Sequence, residues 1–394
     1  LPTLSEQITL DRLAGDPYPL FQALLQQAPV CWAPAFGMWL VTRRADAIEI
    51  LKDSKTFTME PVGGQRSPME DTFGPMMLSI DGPHHQRVRE VFSEPFRARH
   101  VEQWYKQAMQ LTSTALLDDL EVGSVVDLDK VFSDQLAMLT VIAALGLDVN
   151  DVNVFRDWYD DFAAAIGNLV WDERIRARGK RAFEQFRALV VLQLEHLAEH
   201  PNASILSQIL HSPTHALTQD EIVSNIALTF FGGIETTSAM LSNTLWALLS
   251  HPAQKTEVQN DLGLLQNAIE ESLRWQAPVQ SAMRFPTETV TLHGQTIQTG
   301  EKIYCMIGAA NRDPAHFEDP DRFDIHRHNA SQHLSFAHGP HFCFGAGMAR
   351  LEAVVGLSAL LQRFPNLELD RDQPSAPQGH EFRSPPTLFA RLYA

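Results

Sequence analysis

Between Ile222 and Ser250 the only ionisable side chain is Glu235. A run this long could cross a bilayer as a helix, so it forces a choice between lipid and protein surroundings. Ser224, Asn225, Gly232, Gly233, Thr236, Thr237, Ser238, Ser242, Asn243 and Thr244 make it too polar for lipid, where every such group needs an internal partner. A long helix buried in the middle of a soluble protein is therefore predicted. That demands a large core, and 394 residues with 44% apolar and 20% charged side chains supply one.

Helical periodicity continues through 85–120, 129–147, 151–166, 172–199, 218–250 and 252–275. Near the start, Asp16 is the expected N-cap of a helix with Pro17 in its first turn. Strands are expected at 38–42, 288–294 and 301–307 and near the C-terminal TLFARLY. The expected architecture is mainly α, one domain over 1–394, with a small sheet set to one side. A net charge of −17 argues against general nucleic-acid binding, which needs a basic footprint. Three scattered cysteines make no disulfide framework and fit a reducing cytoplasm. LPTLSEQITLDRLAGDPYP has no basic segment leading into an apolar one, so no secretory signal and no membrane association are expected.

One of those cysteines sits in HLSFAHGPHFCFGAGMARLEA, residues 333–353. A lone free cysteine is most often a small buried hydrophobe. Here Phe336-x-x-Gly339-x-x-x-Cys343-x-Gly345 frames it. The glycines let the backbone wrap the sulfur so that amides point at it, and a helix expected from near Phe344 adds its positive end. Both favour the thiolate, the metal-binding form.

This segment, with Ala349 and Arg350 beyond it, resembles the cysteine signature of the cytochrome P-450 haem-thiolate monooxygenases, particularly the soluble bacterial type. The resemblance implies that Cys343 is the axial ligand of a haem b iron and that Phe336 and Gly345 line the cofactor. Ala337 stands where that family usually has Gly or Ser.

A second piece is FFGGIETTSAM, 230–240. Two glycines inside a helix cost about 2 kcal/mol in propensity. Thr236 follows Gly232 by one helical turn, so its hydroxyl can bond the Gly232 carbonyl and open a groove; a bare pair packing against another helix is the alternative. Gly232-Gly233-Ile234-Glu235-Thr236 resembles the family's oxygen-binding motif, which implies that dioxygen sits in the groove while Thr236 and Glu235 deliver protons.

Glu271-x-x-Arg274 is uninformative by itself, because Glu94/Arg97, Glu173/Arg176 and Glu184/Arg187 repeat the spacing. Its place on the helix after the glycine motif resembles the family's buried structural pair, completed by a loop like NRDPAHFEDPDRFD (311–324). In DGPHHQRVRE (81–90), His85 and Arg89 share a helical face. By the same resemblance they bind haem propionates together with Arg284 and His341.

Arg87 faces away from His85 and Arg89. With Arg97, Arg99 and His100 it is expected to form a basic patch for an acidic electron donor, by resemblance a ferredoxin or flavodoxin with its reductase, since this chain has no flavin segment. Expected substrate walls are the 57–80 loop with Phe73 and Met76, Phe162 to Val170, Leu228, Phe231, the Val279 to Met283 stretch including Ala282, and the region of Pro385. The expected activity is oxygen insertion, as hydroxylation or epoxidation, into an apolar small molecule. A peroxide-driven peroxygenase and a non-catalytic haem sensor of gas or ligand are the alternatives.

Overall fold

The computed structural model describes residues 2–61, 66–147, 152–168 and 171–393. Its spine is the Gln219–Ser250 helix, about 48 Å long at 1.5 Å per residue. Thr218 starts it with a capping box, its hydroxyl accepting from the Glu221 amide while Glu221 accepts from the Thr218 amide. Side chains from Ile222 to Leu249 are almost all buried. Most of the polar ones find partners in the protein, as buried polar groups generally do. Thr229 and Thr244 hydroxyls bond carbonyls one turn back, Ser224 donates to the Phe73 carbonyl at 2.6 Å, and Ser242 donates to Asp129 at 2.7 Å. Asn243 reaches the Gln276 and Arg383 carbonyls. Among the described residues no helix is long and apolar enough to cross a membrane.

Helices pack around this spine in two large clusters. One holds Phe92, Met138, Phe162, Phe186, Phe230 and Ile234; the other holds Leu136, Leu245, Leu273, Leu357 and Phe364. The Ala346–Arg363 helix, just after the cysteine, belongs mainly to the second. A five-stranded sheet lies apart, in the order Val30–Ala33, Met38–Val41, Lys302–Met306, Ser281–Pro286, Phe57–Thr58. The 38–41 and 302–306 strands run parallel and the other pairs antiparallel. Val125–Asp127 and Glu368–Leu369 flank Phe389–Arg391 in a second sheet.

The mainly α architecture with a segregated sheet agrees with the sequence reading; several boundaries do not. The helix expected over 85–120 is Gly82–Ser93, a 3₁₀ turn at Glu94–Phe96, and then further helix from Ala98 to Asp118. Pro95 lacks an amide hydrogen and Arg97 is extended, so the helix cannot run through. The helix expected over 252–275 breaks at Asp261, whose carboxylate takes the Gly263 amide at 2.9 Å in a local turn. Pro17, not Asp16, occupies the cap of Tyr18–Gln27, although Asp16 accepts from the Tyr18 amide at 3.2 Å. The Val30–Ala33 and Ser281–Pro286 strands and the short Pro68–Phe73 helix were not expected from sequence.

Candidate active site

Cys343 lies on a loop closed by its own backbone: the Cys343 amide donates to the Phe336 carbonyl at 2.9 Å. Asn311 fixes the approach, accepting from the Leu334 amide at 2.7 Å and donating to Ser335, which donates in turn to the Leu273 carbonyl. Gly339, at φ +73°, must be glycine. A β-carbon there would lie 2.4 Å from the Leu51 carbonyl oxygen. Gly345 has ordinary right-handed helical geometry, and a β-carbon there would meet only the Cys343 sulfur, at 3.8 Å. Burial pushes the Cys343 thiol up, and the Gly345 amide, Arg89, Arg350 and the Ala346 amide pull against that shift.

Ala337 has φ +59°. A β-carbon in that conformation costs roughly 1–2 kcal/mol, so the departure from the family pattern has a measurable signature. Ala337→Gly is expected to raise stability by about 1 kcal/mol, read as a higher denaturation midpoint. An unchanged or lower midpoint would mean that surrounding contacts absorb the strain.

Cys343 lines a cavity of about 740 Å³ shared with His85, Arg89, Arg284, His341, Phe336 and Gly345. Two of these basic side chains keep nitrogens without a protein partner. Arg284 is buried, and its Nε and Nη2 have no partner, nor has His85 Nε2. Burial, then His341 and Arg89, push His85 down to about 4. Its ring centroid is 4.3 Å from that of His341, which bonds Asp81 at 2.8 Å. Arg89 donates to the Phe342 carbonyl. Unpartnered buried donors around one sulfur fit a flat metal macrocycle with two carboxylates: the sulfur can take the metal and the cations the acids. The residues present therefore fit haem.

The glycine pair divides its work. A β-carbon on Gly233 would sit 2.9 Å from Val141 Cγ2 of the Asp134–Leu145 helix, so this glycine permits close packing. One on Gly232 would meet nothing within 4 Å. Both line the cavity, as does Thr236, whose hydroxyl donates to the Gly232 carbonyl at 2.6 Å. Gly232→Ala should therefore fold, gaining up to ~1 kcal/mol of helix propensity while filling the groove. Gly233→Ala is expected to lower the midpoint, and a midpoint order reversed between the two would contradict this division.

Glu235 is not in the cavity wall. Its carboxylate accepts from the hydroxyl of Tyr159, on the Val152–Ile166 helix. Burial raises its pKa, partly offset by the Tyr159 bond, with Asp134 adding to the rise. Sequence reading missed Tyr159, because nothing in VNVFRDWYDDFAAAI distinguishes it from a helix-packing aromatic.

Glu271 and Arg274 are both fully buried and joined by two bonds of 2.6 and 2.8 Å. Arg274 also donates to the Asn311, Pro320 and Arg322 carbonyls, while Glu271 accepts from the Arg327 guanidinium and the Asp324 amide. The look-alikes differ: Arg97–Glu94 and Arg176–Glu173 are surface pairs, and Arg187 pairs with Asp220 instead. Glu270, one position earlier and overlooked in sequence, clamps Arg350 of the cysteine helix through two bonds and also meets His333. Arg350 in turn covers the Phe336 ring, its guanidinium 4.4 Å from the centroid.

Of the expected substrate walls, Met76, Leu228, Phe231, Val279 and Ala282 line the cavity. Phe73 does not. It is core, packed edge-on against Phe162 at 4.8 Å, and Phe162 is core with it. Residues 379–382 form the wall expected around Pro385, and Leu169, Val170 and 62–65 lie outside the described residues. The expected basic patch is largely self-neutralised. Arg87 pairs with Glu221 at the spine's N-terminus, and Glu94 takes both Arg97 and Arg99. An acidic residue between two arginines was in the sequence but was not weighed against them.

Known proteins fall in line with this geometry. The family model for Cytochrome P450 matches residues 153–389. Cytochrome P450 CYP107DY1 of Priestia megaterium is 33% identical, covering 84% of this chain and 83% of its own. Vitamin D(3) 25-hydroxylase of Pseudonocardia autotrophica is also 33% identical, over 90% of this chain and 88% of its own. The structure of P450BioI in complex with hexadec-9Z-enoic acid ligated acyl carrier protein superposes with a TM-score of 0.88 at 30% identity, covering 97% of this chain and all of that one. A cysteine on a glycine-framed loop, a central helix whose Gly232, Gly233 and Thr236 face the same cavity, and likeness along nearly the whole chain lead to one conclusion: the chain belongs to the cytochrome P450 family of haem-thiolate monooxygenases.

Proposed function

We propose that residues 1–394 act as one haem domain that binds haem b through Cys343 and inserts an oxygen atom into an apolar small molecule, by hydroxylation or epoxidation. The observation that carries this reading is the meeting of the Cys343 sulfur with unpartnered His85 and Arg284 nitrogens at one cavity. When bound, haem supplies the activation of dioxygen, and a thiolate ligand favours O–O cleavage. Arg89, Arg284, His85 and His341 hold its carboxylates. Gly345 and Ala346 amides keep charge on the sulfur. Thr236 holds a hydroxyl at the groove beside Gly232 and Gly233, and passes protons inward. Glu235 recharges it, which requires its side chain to leave Tyr159 and turn toward the cavity. Glu271 and Arg274 stiffen the loop behind the cysteine. Met76, Leu228, Phe231, Val279 and Ala282 offer the substrate an apolar, adaptable wall.

Electrons come from a separate ferredoxin or flavodoxin in the cytoplasm, docking near Arg97 and Arg99. Because Glu94 already neutralises part of that charge, reversing both arginines should slow reduction only modestly, roughly two- to tenfold at low salt. Stopped-flow reduction with an acidic ferredoxin reads this directly, and a rate insensitive to both mutation and salt would move the docking site elsewhere. The defining test is Cys343→Ser. Haem content and visible absorption should change and product formation should fall below detection. Full oxygenation by the serine variant would remove Cys343 from its role.

A further inference from the structure

Three carboxylates line the cavity without a part in the proposed chemistry: Glu70, Glu352 and Glu381. Residues 378–384 form a tight hairpin, with Gln378 and Ser384 bridged and Gly379 at φ +114°. Its base is fastened firmly. Arg383 spends its guanidinium on the Ala14, Gly15 and Gly379 carbonyls and on Gln276, and the Gln280 amide donates to the Glu381 carbonyl at 2.8 Å. The hairpin thereby presents Glu381 and Phe382 to the cavity, the Phe382 ring 5.9 Å from that of Phe231.

The Glu381 carboxylate accepts one hydroxyl, that of Ser281, at 2.9 and 3.1 Å from its two oxygens. No arginine, lysine or histidine pairs with it among the described residues. Its neighbour across the wall is Tyr304, which burial, with the Glu381 charge, pushes up to about 12 and so keeps neutral. The cavity's own cations, Arg89 and Arg284, are committed in the reading above to the cofactor. Of the other two carboxylates, Glu70 has Arg66 to face it, and Glu352 sits on the Ala346–Arg363 helix after the cysteine, where burial pushes its carboxyl well up. Burial pushes Glu381 up to about 7, with Ser281 opposing. A carboxylate in an apolar wall with a single neutral donor is costly until a cation meets it.

We propose that Glu381 is a substrate anchor that selects apolar molecules carrying a protonated amine. This deepens the monooxygenase reading and rests on it for the location of the reacting centre. The carboxylate fixes the cationic end of the substrate at the hairpin, while the rest of the molecule lies along Phe231, Phe382 and Val279. The same anchor penalises a carboxylic acid, which would bring like charge to an already unfavourable site.

Three probes share a twelve-carbon chain and differ in charge: N,N-dimethyldodecylamine, methyl dodecanoate and dodecanoic acid. Binding to the haem-containing protein is measured by calorimetry, with the haem absorption band followed in parallel. The tertiary amine should bind at least about tenfold more tightly than the ester, a difference of ~1.4 kcal/mol, and the acid weakest. Glu381→Gln, which retains an oxygen for Ser281, should bring the amine to within about threefold of the ester. Glu381→Lys should reverse the order in favour of the acid. Ser281→Ala, which frees the carboxylate, should keep the amine preference. An amine-to-ester ratio unchanged by Glu381→Gln, or a wild-type preference for ester or acid, overturns the anchor. Purified protein without haem would instead overturn the monooxygenase reading of the site, and that outcome is visible whatever the probe ratio.

Discussion

Glu271→Gln is expected to cost about 3–5 kcal/mol, the usual penalty for removing one partner of a buried ion pair. The amide keeps the shape and loses the charge, leaving the Arg274 and Arg327 guanidiniums on one uncompensated buried site. Arg274 cannot escape to water: its side chain is fully buried, and burial already drives its pKa down, with Glu271 opposing. A natural domain holds only about 5–15 kcal/mol in total, so the variant should accumulate as insoluble protein, with a lowered denaturation midpoint in the soluble remainder. Glu173→Gln provides the matched control, since Glu173 makes a same-spaced pair with Arg176 at 79% exposure. It should shift stability by no more than about 0.5 kcal/mol. Equal shifts for the two variants would mean that the buried network does not hold the loop behind the cysteine.

Thr236→Ala should separate electron consumption from product formation. The hydroxyl lies at the cavity and its proton is engaged with the Gly232 carbonyl one turn back. Alanine is a better helix former than threonine, and the variant should fold, take up haem and bind substrate with little change. Losing a positioned proton donor typically costs 10²–10⁴-fold in the step it serves. Product per electron pair should therefore fall by roughly tenfold or more, with the missing equivalents recovered as hydrogen peroxide. Thr236→Ser, which retains the hydroxyl, should restore most of the yield. A product-to-electron ratio equal to wild type in the alanine variant would remove Thr236 from proton delivery.

The parts of this molecule legible in its sequence are those where chemistry leaves a local trace. The spine was readable because twenty-odd buried positions contain polar residues that are poor in lipid yet suited to i−4 bonding and cross-helix contacts. The cysteine loop was readable because its glycine spacing is uncommon. Interruptions that depend on one residue's backbone, at Arg97 and Asp261, were lost inside strong helical periodicity. The Val30–Ala33 strand was missed because it is four residues long and mostly buried, so no alternation appears. Phe73 was misassigned because an aromatic facing a cavity and one facing core are identical in sequence. Glu270 and Glu271 are neighbours on one helix about 100° apart, and only three dimensions reveal that one grips the cysteine helix and the other the 311–327 loop. Tyr159 and Glu381 acquire meaning only from partners far away in the chain.

The unpartnered nitrogens of His85 and Arg284 also bear on how the protein is made. His85 is synthesised long before Cys343; at 5–20 residues per second the interval is roughly ten to fifty seconds. During that time nascent chain carries basic groups destined for burial but lacks Cys343, the sulfur that shares their cavity. Burying them early would be unfavourable, which delays consolidation of this region until the cysteine segment has emerged. Uptake of the pigment is then a late event, and it stabilises the finished protein in proportion to the logarithm of its free concentration. Cells short of iron or porphyrin should accordingly contain less of the polypeptide itself, not only less activity, because chains left waiting are the ones proteases find.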